Sequence, residues 1–428
     1  MAHIIVTGIP KIGKSEVIDK VIKYSSTEKI LKHNTQSISL GNIFKDIAFD
    51  LYSTKPENVP SLDYLLKEAI GKSTVNETKS RLKDVKKEES ILVDTPISMI
   101  DGERSILSRV RSPDDFILFD DVKSIDAIIT LIDAPKIVQN KLKGTIYPTD
   151  KERLLFWMNI ESELSISYGD SVTGKRKRAI EIINNYSDKK MDVNGYDSVR
   201  NIVMPRRNAE ISILKMLYDY NIAGRLPVIG YLVGPISNAK INGTEKTDAE
   251  IQRKLDNETK IGEFSKEAQK YILAINPIVL ADTEFTLVDR AHTIHRDINY
   301  FVARSDIIIG YYPEECDSPG TEEELRNATM MAKPTILIHP KTRAEEEGRK
   351  KMVFDFVPTI RFYHEDEFYA AIANPNVVDE LYKKGQVRNP AQARRALEML
   401  VVGSKPRYHM FNNLLENNEL FEKFKINI

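Results

Sequence analysis

The sequence predicts an α/β protein of two parallel-sheet, three-layer modules followed by a helical C-terminal extension. Three observations carry that expectation. Short β-branched runs alternate with longer helical stretches, which is the pattern of βαβ units. A glycine-containing turn ending in Lys14 and Ser15 follows the first run directly. A second alternating series begins at Pro227 and repeats the plan. Parallel strands can be joined only by crossing a sheet face, so helices come to cover both faces of each sheet.

In the first module, residues 3–7, 90–94 and 126–133 read as strands, with 35–40 as a weaker one and 198–203 as the last. Helices are expected over 15–24, 151–168, 175–186 and 207–221. In the second module the strands are 228–233, 275–280, 306–311 and 335–338, with a further one within 354–361. Helical patterns at 249–274, 286–304 and 321–332 lie between them. Gly224 follows the last helix of the first module, which divides the chain into 1–223, 224–372 and a C-terminal extension at 373–428. Residues 379–428 read as polar helix, broken near Gly403 and Pro406. The charge-rich stretches at 79–89 and 341–351 read as solvated faces.

Composition bounds the function. With 428 residues, 41% hydrophobic and 29% charged, the chain can build more than one core. A net charge of −1 gives no general attraction to nucleic acid or anionic membrane, so neither is expected as a partner. The single cysteine, Cys316, excludes an internal disulfide framework and a cysteine-rich zinc site, and fits a reducing compartment. The start, MAHIIVTGIP, reads as a strand and not as a secretory leader. No apolar run approaches the ~20 residues that span a bilayer. The expectation is a soluble cytoplasmic protein.

The first chemical motif is Gly8-Ile-Pro-Lys-Ile-Gly13-Lys14-Ser15, a complete G-x-x-x-x-G-K-[ST] between a strand and a helix. Its glycines let backbone N–H groups turn inwards around phosphate oxygens, and the helix start adds its positive dipole end. Lys14 can reach the β- and γ-phosphates, and the Ser15 hydroxyl can ligate Mg²⁺. The expected cofactor is therefore Mg²⁺ with ATP or GTP. Asp94 closes the apolar run 91–93, where a Walker B carboxylate would complete the Mg²⁺ site; the alternative is a strand-end Asp that caps the next turn.

With VTGIPKIGKS, the VDTP strand end and the LIDAP strand, residues 1–205 resemble the P-loop nucleoside monophosphate kinases, especially the archaeal adenylate kinase-like group. The resemblance implies a lid near residues 147–153 and phosphate-clamping arginines, for which Arg104, Arg109 and Arg153 are candidates. The segment is short for a lid and holds no arginine pair, which bears on phosphoryl transfer more than on nucleotide binding.

The second set has three parts. Residues 228–238 run from a strand into the Gly234-Pro235 turn, with Tyr231 inside the strand. Asp297 precedes the strand that starts at Asp306. Asp317-Ser318-Pro319-Gly320 then turns into a helix opening at Thr321, with Glu324 in its first turn. Breaking an N-glycosidic bond passes through an oxocarbenium-like state, which a carboxylate can capture while a second acid protonates the departing base. Glu324 suits the first role and Asp297 the second. The plainer alternatives are a first-turn glutamate favoured by the helix dipole, among three consecutive glutamates, and a helix-surface aspartate. His292 and His295 read as structural or surface residues.

In order and spacing, residues 226–340 resemble the nucleoside 2-deoxyribosyltransferases and their nucleotide N-glycosidase relatives. The resemblance implies a flavodoxin-like or Rossmann-like sheet and a homo-oligomer whose neighbours complete each site. It also implies Glu324 as nucleophile, Asp297 as the acid at the leaving base, and a substrate pocket at Tyr231, Gly234, Pro235, Asp317, Ser318 and Gly320. No cofactor is implied for this module. The spacing from Asp297 to Asp306 is about one residue longer than the family outline. Serine at the Ser318 position goes with nucleoside 5′-monophosphates and an acidic residue with free nucleosides; Asp317 next door would reverse that reading on a one-residue shift. Three whole-chain functions follow: a bifunctional nucleotide-metabolising enzyme, a nucleotide-sensing effector in which the P-loop module only binds NTP and gates the second module, and a non-catalytic nucleotide-binding scaffold whose C-terminal tail mediates assembly.

Overall fold

The computed structural model describes residues 2–28, 31, 34–55, 58–59, 62–85, 89–101, 106–109, 125–145, 147, 149–171, 178–183, 208–235, 248–280, 296–313, 318–341, 358–402 and 405–416. The expected α/β architecture with two parallel sheets is present.

The N-terminal sheet comprises β1 (His3–Thr7), β2 (Thr35–Ser39), β3 (Ser90–Asp94), β6 (Ala127–Ile132) and β7 (Arg178–Ile183), in the order β2-β3-β1-β6-β7 and parallel throughout. β1 is buried at all five positions, as its unbroken apolar run requires of a strand covered on both faces. Its helices are α1 (Lys14–Glu28), α2 (Leu40–Tyr52), α3 (Tyr64–Asp84), α4 (Pro135–Leu142) and α5 (Lys151–Ser171). A short antiparallel hairpin, β4 (Ser98–Asp101) with β5 (Ile106–Arg109), follows β3. The chain leaves β1 for β2 and β3 on one side and reaches β6 on the other. The crevice at such a reversal, outside the carboxyl ends of the strands, is where open α/β sheets bind ligands.

The edge strand corrects the sequence expectation. Residues 175–186 were expected to be helical, yet 178–183 pair in register with β6. The apolar pairs Ala179-Ile180 and Ile182-Ile183 can satisfy a strand as readily as a helix face, and the open edge of β6 decides. The expected strand at 198–203 lies outside the described residues.

Helix α6 (Asn208–Ala223) leads into the second sheet, formed by β8 (Ile229–Val233), β9 (Leu273–Ile275), β10 (Ile307–Tyr311), β11 (Thr335–Ile338) and β12 (Ile360–Phe362). All pairings are parallel, and counted within the sheet the order is 2-1-3-4-5, a doubly wound arrangement. Helix α7 (Asp248–Ala268) is shorter than expected. Residues 273–275 form the strand, and Pro277–Leu280, expected to be strand, is a 3-10 turn that Pro277 starts. A π-helical turn, Asp297–Val302, precedes β10, and α8 (Pro319–Met330) follows it. Helices α9 (Glu365–Ala373), α10 (Val378–Lys383) and α11 (Pro390–Glu398) lead to a two-stranded hairpin, β13 (Val401–Val402) with β14 (Lys405–Pro406), and to α12 (Asn412–Glu416). Two short antiparallel strands thus flank the expected break in the extension.

Helix α6 joins the parts. Tyr220 donates its hydroxyl to Asp126, beside β6, whose carboxylate also accepts from the His3 backbone N–H. The preceding residue, Asp219, meets Arg407 and Tyr408 of the C-terminal extension. Lys215, fully buried, donates to Gln269 O at 2.6 Å, Gln269 Oε1 at 2.7 Å and Ile272 O at 3.1 Å, in the α7–β9 connection. One apolar core runs from Ile4 and Val6 through Leu214 and Leu217 to Ile309 and Phe411. No helix among the described residues is long and apolar enough to cross a membrane.

Candidate functional site

Two constellations lie at the carboxyl edges of the two sheets. In the first, residues 8–13 connect β1 to α1, with Gly8 at φ 141°, Lys11 at 63° and Gly13 at 97°. A Cβ on Gly8 would stand 2.7 Å from the Leu131 carbonyl oxygen of β6, so the position admits only glycine. Lys14 folds over the loop and donates to Gly8 O at 2.7 Å and Ile9 O at 3.3 Å. Burial lowers its pKa, against the opposing pull of the Asp94 and Glu161 carboxylates. The Ser15 hydroxyl donates to Asp94 Oδ2, so the two residues expected to share Mg²⁺ are in contact. Asp19, one turn further along α1, has a raised pKa from burial and from Asp94 and Glu16.

Arg153 lies exposed in the first turn of α5, with Nε 3.7 Å from Asp150. Arg104 and the side chain of Arg109 lie outside the described residues. Sequence reading missed Glu161 at this site. Its only signal is a glutamate inside a helix that also carries Trp157, a residue that is fully buried.

In the second constellation, Glu324 of α8 and Tyr231 of β8 meet, with Tyr231 Oη donating to Glu324 Oε1 at 2.9 Å. The Glu324 pKa is pushed up to about 8, first by burial and then by the Asp297 carboxylate; the Tyr231 hydrogen bond and Arg296 pull it back. Asp297 is also raised by burial, and Arg296 opposes the shift through contacts of 3.2 Å and 3.1 Å to Oδ1. The Arg296 guanidinium lies 5.6 Å from the centre of the Phe301 ring, which packs 5.4 Å from the Tyr231 ring. Burial and the two carboxylates hold the fully buried Tyr231 phenol well above its ordinary range.

The turn Asp297–Val302 is π-helical, and a π turn takes up one more residue than an α turn. Asp297 thereby stays within electrostatic reach of Glu324.

The helix start corrects another expectation. α8 begins at Pro319, not Thr321, so Glu324 stands in the second turn and Glu322 is the acidic residue of the first. Glu323 faces solvent and pairs with Arg326 at 2.6 Å. Of the three consecutive glutamates, Glu324 alone bonds to Tyr231, and a first-turn dipole does not account for it. Gly320 lies within α8 with open space where a Cβ would be, so no turn demands glycine there.

Ser318 is the residue before α8, and its hydroxyl lies 2.8 Å from that of Thr321. Thr321 Oγ1 donates to Gly234 O at 2.8 Å, tying the Gly234-Pro235 turn to the start of α8. A Cβ on Gly234 would stand 3.0 Å from Ile261 Cδ1 and 3.2 Å from Tyr311 O, so this turn packs closely against its neighbours. Asp317, His292 and His295 lie outside the described residues. Sequence reading assigned no role to Arg296, although it stands beside Asp297. No protein-family model matches the chain, and no curated protein matches it significantly.

Proposed function

We propose that the protein metabolises nucleotides, cleaving or transferring an N-glycosidic bond at Glu324 and binding ATP or GTP at the P-loop. The observation that carries the first half is the cluster of half-buried Glu324, Asp297 and Arg296 around the fully buried Tyr231 at the carboxyl edge of a parallel sheet. The 2-1-3-4-5 order is that of flavodoxin-like sheets, which agrees with the deoxyribosyltransferase resemblance.

The chemistry follows from the environments of the two carboxyl groups. In its ionised form, Glu324 attacks the anomeric carbon; a C–O ester bond forms as the C–N bond breaks. The electron pair of that bond leaves with the base, and Asp297, whose pKa burial raises, would supply the proton to the base nitrogen. Water then hydrolyses the ester, or a second base takes its place. Tyr231 and Arg296 stabilise the Glu324 anion that burial disfavours. Ser318 and Thr321, at the start of α8, would receive the sugar 5′ substituent, and the Ser318 reading favours a nucleoside 5′-monophosphate.

At the P-loop, one hydroxyl and one carboxylate fit Mg²⁺, which keeps several waters and takes few protein ligands. Ser15 and Asp94 would hold it, and bound there it would neutralise charge on the β- and γ-phosphates. The gating reading, in which NTP binding only regulates glycosidic cleavage, draws on α6, which packs against α1 and anchors the second module through Lys215. By resemblance we also propose a homo-oligomer.

The test is a panel of ribo- and deoxynucleosides and their 5′-monophosphates, with and without Mg·ATP, read as free base by chromatography. Base release lost in Glu324→Ala supports the glycosidic reading. Release that requires ATP and fails in Lys14→Ala supports gating. ATP consumption without release of any base refutes the glycosidic reading.

A further inference from the structure

Glu161 of α5 is a buried carboxylate that no phosphate-binding role uses; it is 1% exposed. Its Oε1 accepts from the backbone N–H of Gly8 at 3.0 Å and of Ile97 at 2.9 Å, and from the Thr7 hydroxyl. Its Oε2 accepts from the Ser98 N–H at 2.6 Å and from the Ser98 hydroxyl, which in turn accepts from Trp157 Nε1 at 3.0 Å. The five donors come from two separate loops. Thr7 and Gly8 are where the chain leaves β1 to form the P-loop. Ile97 and Ser98 are where it leaves β3, three and four residues beyond Asp94.

We propose that Glu161 is a positioning residue that holds the P-loop and the loop after β3 at one fixed separation, so that Ser15 and Asp94 meet and share a divalent cation. The inference rests on the P-loop reading above. Three of the five contacts are to backbone N–H groups, so they fix the course of the main chain. Hydrogen bonds to a charged acceptor are the strong ones, and Glu161 is almost wholly shielded from solvent. Glu161 lies on the helix that follows the lid-like segment, so a shift of α5 is transmitted directly to the Gly8 amide. Its charge also reaches Lys14, which sits between Glu161 and Asp94 in the balance that sets the ammonium.

The test uses the full chain and its Glu161→Gln variant, which keeps the volume but turns one acceptor into an NH₂ group facing N–H donors. Ser98→Ala is the milder second variant, removing one hydroxyl donor should Glu161→Gln fail to fold. ATP and GTP binding is measured calorimetrically in Mg²⁺ and in EDTA. Hydrogen exchange of residues 7–10 and 95–99 is followed in nucleotide-free protein. We expect Glu161→Gln to weaken Mg·nucleotide binding about tenfold, the loss of one such bond, while binding in EDTA falls less than about threefold. Exchange should accelerate in both segments together, with Ser98→Ala showing the same pattern at smaller size. Equal weakening in both conditions, or unchanged affinity with only a lower Tm, overturns the inference. Wild-type protein that binds neither nucleotide, or Lys14→Ala binding as tightly as wild type, refutes the P-loop reading and the inference with it. Loss of binding confined to the Glu161 set and Lys14→Ala supports both.

Discussion

Tyr231 and Glu324 stand 93 residues apart in the chain and meet through a 2.9 Å hydrogen bond, with the phenol donating to Oε1. The phenol has no solvent contact, so its one donor is committed to this carboxyl group. Burial and Asp297 raise Glu324, while this bond and Arg296 lower it; the balance leaves the group near pH 8. A carboxyl group held close to neutral pH responds steeply to each of its three neighbours, Asp297, Tyr231 and Arg296.

Replacing Tyr231 with Phe should therefore raise Glu324 further. The rising limb of base release, expected near pH 8 in the wild type, should move to higher pH. The rate at pH 7 should fall about tenfold, the worth of one hydrogen bond to a charged group. A pH–rate profile measures both, and a limb that stays in place would show that the phenol does not tune the carboxylate.

Glu324 also makes stability depend on pH. Its folded value of about 8 exceeds the ordinary value of 4.5, so the folded state holds the extra proton between those limits. The favourable contribution is complete below the ordinary value and is lost as pH rises through the folded one. Glu324→Gln accepts the same Tyr231 bond without that titration. Urea melts should show the variant gaining on wild type by roughly 2–4 kcal/mol between pH 5 and pH 8.5. Parallel pH curves would refute the assignment.

Gly8→Ala places a methyl group against the Leu131 carbonyl and asks a non-glycine residue to hold φ 141°. The cost should be about 1–3 kcal/mol of stability, and nucleotide binding should be lost even in the fraction that folds. Gly320→Ala, whose Cβ meets open space within α8, should leave stability unchanged or raise it by about 0.5–1 kcal/mol. Thermal melts with calorimetric titration of both variants distinguish the two kinds of glycine.

Lys215→Met removes an ammonium that three acceptors surround in the middle of the joint core. The stranded carbonyl groups should lower stability by about 2–4 kcal/mol. Because α6 shares one buried core with residues of both sheets, unfolding should stay a single transition that moves as a whole. Two separated transitions, only one of them shifted, would show that the modules unfold independently.

Much of the fold was legible because period and punctuation are local. Runs such as HIIVT and TILI can bury both faces only as strands of a covered parallel sheet, and they do. The failures occurred where a pattern fits two structures. The 178–183 segment suits a helix face or a strand, and its neighbour β6 chose the strand. Pro277 ended β9 early, and Pro319 started α8 early, which moved Glu324 one turn into the helix.

The sequence by itself determined the P-loop, since a loop of fixed length between a strand and a helix carries its own geometry, and it named Glu324 and Asp297 by type and order. Only the tertiary structure brought the Tyr231 hydroxyl to Glu324. It alone joined Glu161 to Gly8 across 153 positions and enclosed Lys215 in carbonyl oxygens. Those relationships depend on distances between elements far apart in the chain, and they become physical only when burial removes the water that would otherwise satisfy each group.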